Sequence, residues 1–161
     1  MKKLLLTSVT ALFLATGTTH AGRIELIPPE HYDYLFPGPI VIAREANLNE
    51  LNKSCRSNVY RTIPACAERR GNTCQIYMLS DDFLKQFDET YPSFERFFKQ
   101  TIRHEIGHCN GWSADHVGAR LQGDCTDRSR ALGIDCWPAS HELDVALEYL
   151  WQHRNNFGAS K

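Results

Sequence analysis

The thirteen-residue run His104-Glu105-Ile106-Gly107-His108-Cys109-Asn110-Gly111-Trp112-Ser113-Ala114-Asp115-His116 limits the fold more than any other part of this chain. It continues an apolar stripe. Phe94, Phe97, Phe98, Thr101 and Ile102 recur at three- and four-residue steps, which predicts a helix buried along one side. The same steps lead on to His104, Glu105 and His108, with Ile106 and Cys109 on the flank. The polar residues are therefore expected on nearly the same face as the core residues. Pro92 suits the first helical position, and Gly111 suits a stop, because glycine accepts the left-handed conformation at a helix end. Such a helix has to run through the interior and end in a cleft.

His104 and His108 stand one helical turn apart. Two imidazoles so placed can grip one Zn²⁺ at about 2.0–2.1 Å each. The acid between them, Glu105, can take a proton from a water on the same metal. A catalytic zinc site needs a third protein ligand and an open position. After Gly111 the chain can turn back, which makes His116 the first choice, Asp115 the next and Glu142 the third. Each also has an ordinary role. Asp115 can orient an imidazole, Glu142 can be a first-turn helix acid, and His116 can be a loop residue.

Met1 to Ala21 reads as a secretory signal peptide. Lys2 and Lys3 are followed by a short apolar stretch, Leu4 to Thr16, and by small residues at Thr19 and Ala21. That stretch is shorter than the about 20 residues of a spanning helix, and no later segment is apolar enough to cross a bilayer. Residues 22–161 are expected to form a single domain large enough for a real core. Without Lys2 and Lys3 the chain carries 16 basic against 19 acidic residues. This balance gives no sign of nucleic-acid or membrane-surface binding. Cys55, Cys66, Cys74, Cys109, Cys125 and Cys136 make an even set, which in an exported chain favours disulfides over thiolate metal sites. Cys125 and Cys136 are the near downstream pair. One of Cys55, Cys66 and Cys74 is expected to staple the motif helix through Cys109.

Around that helix the sequence predicts strands over Arg23–Ile27, Ile40–Ala43 and Cys74–Leu79. Tyr32 to Pro39 reads as a loop or surface arm, and Cys66 to Asn72 as irregular. Asn47-Leu48-Asn49-Glu50 resembles a capping box that opens a helix to about Arg56. Ser140 is placed to cap a last helix with Leu143, Ala146, Leu147, Leu150 and Trp151 on its apolar face. Trp112 to Ser140 reads as loop-rich. The expected fold is a small α+β domain with a short sheet, a motif helix and a C-terminal helix, tied by disulfides.

Through His104, Glu105, His108 and Gly111, with Cys74–Leu79 upstream, the chain resembles the zincin metallopeptidases. The HExxHxxG stretch is most similar to the metzincins and their aspartate-ligand relatives. It departs from metzincins where their third ligand would fall, which here is Ala114. The only methionines are Met1 and Met78, so the downstream Met-turn is absent. The chain also resembles a group of small exported bacterial proteins with an HExGHxNGWxxDH signature, over roughly Cys55 to Arg120. The zincin resemblance implies a zincin-like domain that binds Zn²⁺ through His104 and His108, with Glu105 as catalytic base. It also implies an upstream strand edge that holds an extended peptide by backbone pairing. Tyr91, Arg120, His141 and Tyr149 are candidate oxyanion donors. The function expected is a periplasmic or secreted zinc metallopeptidase acting on peptide or protein. Its alternatives are a non-catalytic zinc-binding structural or accessory protein of the cell envelope or a secretion apparatus, and a hydrolase of peptidoglycan cross-links.

Overall fold

A computed structural model describes residues 25–56, 63–86, 94–122 and 138–158. The expected signal peptide 1–21, the expected helix start at Pro92, the oxyanion candidate Tyr91 and the expected pairing of Cys125 with Cys136 lie outside the described residues.

The architecture is small α+β, with one mixed three-stranded sheet and a separate strand pair. The strands are β1 (Glu25–Ile27), β2 (Ile40–Glu45), β3 (Ala65–Arg70), β4 (Thr73–Leu79) and β5 (Arg120–Gln122). The helices are α1 (Leu48–Ser54), α2 (Asp81–Gln86), α3 (Phe94–Cys109) and α4 (His141–Gln152). In the mixed sheet β4 is central. It runs parallel to β2, with Ile40 opposite Cys74. It runs antiparallel to β3, with Ala65 opposite Met78 and Arg70 opposite Thr73. Cys74–Leu79 thus has both backbone edges engaged, and the sheet edges belong to β2 and β3.

β3 occupies the stretch predicted to be irregular. Its sequence, ACAERR, lacks β-branched residues, and only the pairing with β4 makes it a strand. Gly71 and Asn72 form a two-residue hairpin turn, with Gly71 at φ 62°. That Gly-Asn pair, set just before an apolar run, was the available signal. The Asn47 side chain accepts from the Asn49 and Glu50 amides at 3.0 and 3.1 Å and caps α1. The Ser140 hydroxyl accepts from Leu143 N–H at 3.3 Å and caps α4.

Ile42, Leu51, Ile76, Met78, Phe98, Ile102, Ile106, Leu143 and Leu147 form one core. α3 lies against β3, β4 and α4. Trp151 of α4 meets the rings of Phe94 and Phe98 at 5.7 and 5.6 Å. Two disulfides staple the frame, Cys55–Cys66 and Cys74–Cys109. The second joins the central strand to the last residue of α3. No described helix is long and apolar enough to cross a membrane.

Candidate metal centre

The predicted face of α3 needs one correction. Ile106 and Cys109 are fully buried, Glu105 is 5% exposed, and His104 and His108 are only half-buried. At about 100° per residue, Phe98, Ile102, Glu105 and Cys109 share the core direction. His104 and His108 lie roughly a third of a turn away, in line with Phe97. The carboxylate, not the histidines, continues the core stripe.

The end of α3 is a Schellman motif. The Gly111 amide donates to His108 O and the Trp112 amide to Gly107 O, both at 3.0 Å. Gly111 has φ 106°, which a residue with a side chain rarely adopts. Gly107 meets a different demand. A Cβ there would lie 2.3 Å from Pro28 Cγ, so glycine lets β1 close onto the helix. Beyond Gly111 the chain turns twice, with His116 N–H on Ser113 O at 3.0 Å and Ala119 N–H on His116 O at 3.1 Å. His116 itself is left-handed, φ 59°.

These turns bring three imidazoles together. His104 Nε2 lies 3.2 Å from His108 Nε2 and 3.0 Å from His116 Nε2. The three donor atoms all fall within 4.8 Å of one another. The outer nitrogens of the first two rings are occupied. His104 Nδ1 is 2.8 Å from the Leu26 carbonyl, and His108 Nδ1 is 3.0 Å from the Trp112 carbonyl. A carbonyl oxygen only accepts, so each Nδ1 carries the proton and each Nε2 presents a lone pair. Burial holds His104 down to about 4, with the neighbouring His108 and His116 adding to the effect. Burial also lowers His108. Both rings are therefore neutral at pH 7.

Two lone pairs at this separation suit a shared cation. In a tetrahedral site with metal–nitrogen bonds of about 2.0–2.1 Å, neighbouring donors stand about 3.3–3.4 Å apart. The His104/His108/His116 cluster can hold a metal ion. Trp112, almost fully buried, walls it. Its ring stacks on His108 at 4.9 Å and meets His104 and His116 edgewise at 5.0 and 4.9 Å. Its indole N–H donates to Val117 O at 2.9 Å. Glu105 has one carboxylate oxygen, Oε2, buried with no hydrogen-bond partner among the described residues. Burial pushes its carboxyl up to about 8.

The other candidates are placed differently. Asp115 is exposed and accepts from Ser113 Oγ. Glu142 is an exposed first-turn residue of α4 outside the cluster. Of the oxyanion candidates, Arg120 binds Asp33 and Pro28 O, and the 60%-exposed Tyr149 stacks on His153. His141 is exposed at the start of α4. Sequence reasoning missed the Leu26 and Trp112 carbonyls, which no side-chain pattern encodes, and gave Trp112 no role.

Comparison with protein-family models, with curated proteins and with solved structures returns no match to this chain.

Proposed function

We propose that this chain is an exported, zincin-like zinc peptidase. The observation that carries the reading is the meeting of three imidazoles, two with Nε2 left unprotonated by Nδ1 hydrogen bonds to backbone carbonyls, while the helix that bears two of them also carries a buried carboxylate whose Oε2 has no hydrogen-bond partner among the described residues. His104, His108 and His116 would hold the ion through these nitrogens. Zinc bound there supplies a water whose pKa falls toward 7 and a Lewis acid for the substrate carbonyl. Glu105 would act as the base in its ionised form, which burial shifts to the alkaline side and a bound cation would favour; it would take a proton from the attacking water and pass it to the leaving amine nitrogen. Trp112 keeps bulk water from one side of the imidazole group. Three nitrogens plus an open position is a catalytic arrangement, whereas structural zinc sites are closed by four protein donors. The engagement of Asp115 by Ser113 favours the open form over the closed, non-catalytic alternative.

The resemblance to zincins places an extended peptide along a strand edge, and β3, beside α3, has such an edge. The two disulfides fit an oxidising compartment, in line with the signal-like segment. Glu105→Gln keeps the size and shape of the side chain but cannot accept the proton. The variant should bind zinc as the parent does and lose cleavage of casein by two orders of magnitude or more. Parallel digestion of cell-wall sacculi separates peptide from cross-link hydrolysis. Undiminished cleavage by Glu105→Gln overturns the assigned base.

A further inference from the structure

The residues that orient His104 are themselves held by one buried carboxylate, Asp33. Its Oδ1 accepts from Arg103 Nε at 2.8 Å, and its Oδ2 accepts from the terminal nitrogens of both Arg103 and Arg120. Asp33 and Arg103 side chains are 4% and 6% exposed. Arg103 immediately precedes His104. Arg120 opens β5, four residues after His116, and its Nε donates to the Pro28 carbonyl at 2.8 Å. β5 in turn pairs with β1, placing Leu121 opposite Leu26. Leu26 is the residue whose carbonyl receives His104 Nδ1–H. One carboxylate therefore ties together the helix turn that carries His104, the strand that orients its ring, and the strand that follows the His116 loop. Asn110 reinforces the same clamp by donating to the Tyr32 and Tyr34 carbonyls at 2.9 and 2.7 Å.

We infer that Asp33, acting through Arg103 and Arg120, is a positioning residue for the metal centre. It sets the Leu26 carbonyl against His104 and so keeps Nε2 of that ring unprotonated and aimed at the ion. The inference rests on the proposed metal site but asks something further of the chain. Partners of this kind typically change metal affinity by about 10–100-fold.

The test uses the mature protein with Asp33→Asn and Arg120→Lys. Arg120→Lys retains the charge but loses the two-point link to Asp33 and Pro28, and it guards against a failure of Asp33→Asn to fold. Asp81→Asn is the control. It breaks the Arg44–Asp81 ion pair, 2.7 Å long, in a part of the fold that holds none of the three histidines. Zinc affinity is read by chelator competition and the His104 tautomer by ¹⁵N NMR of metal-free protein. Asp33→Asn and Arg120→Lys should weaken zinc binding about 10–100-fold and mix the His104 tautomer, and Asp33→Glu should restore part of both. Asp81→Asn should leave both readings near the parent's. Equal affinity in all variants, or an equal loss in the control, overturns the positioning role. A parent protein that binds no zinc overturns the site reading instead, and the tautomer measurement then decides the role of Asp33 alone.

Discussion

His116 holds a backbone conformation that costs a side-chain-bearing residue roughly 1–2 kcal/mol. Such strain persists where surrounding contacts enforce it, and it gathers at functional positions. Here it returns the imidazole to His104, 3.0 Å away. Two substitutions separate donor from strain. His116→Ala removes the donor and keeps the strain, whereas His116→Gly removes both. Both variants should bind zinc more weakly than Asp33→Asn or Arg120→Lys, beyond the about 100-fold upper range for those. In thermal unfolding of metal-free protein, the glycine variant should be the more stable by about 1 kcal/mol. Asp115→Ala should leave zinc affinity within a few-fold of the parent. Weak binding in Asp115→Ala with strong binding in His116→Ala would make Asp115 the donor. His104 and His108 were legible as neighbours because their relation is local to one helix. His116 was legible as one of three choices, since Gly111 permits a return without saying which residue completes it. Asp33 and the Leu26 carbonyl were not legible. They reach α3 across 70 and 78 residues, and no pattern in the sequence encodes contacts at that range.

Among the elements, α3 was predicted as a helix but with its faces partly exchanged. Three- and four-residue steps accumulate angle, so a stripe followed from Phe94 onward drifts across the helix surface. The aromatic start is shared by the core and by the histidine flank. Only burial of Ile106 and Cys109 separates the two. β3 was missed for the opposite reason, since its charged residues carry no strand signal and its pairing partner decides its state. The Cys74–Cys109 link was foreseen as a staple to Cys109, and the structure identifies Cys74 as the partner. It joins the end of α3 to the start of β4, one residue beyond His108, across a separation of 35 residues. By loop-closure entropy such a link contributes about 4 kcal/mol. Replacing both cysteines by serine should lower the unfolding midpoint by several degrees and weaken zinc binding as well, because the helix end that carries His108 loses its tether. A large stability loss with unchanged zinc affinity would separate the staple from the site.

For the molecule as a whole, the α+β class and its short sheet followed from alternating apolar runs and capping signals. The arrangement of the sheet did not. A parallel β2–β4 pair with β3 added antiparallel requires a crossover that local patterns leave open. The fold places β1, β5 and the arm after β1 around the C-terminal half of α3, so the three histidines sit where helix, strand pair and turn converge. Folding thus brings the three imidazoles together, and binding of a metal there should stabilise the folded state by mass action. The most direct test is X-ray absorption at the zinc edge on the mature protein loaded with one equivalent of zinc. The account predicts only nitrogen and oxygen neighbours at about 2.0–2.2 Å, with the outer-shell scattering of three imidazoles, falling to two in His116→Ala. A sulfur shell at about 2.3 Å, or a spectrum unchanged by His116→Ala, would contradict it.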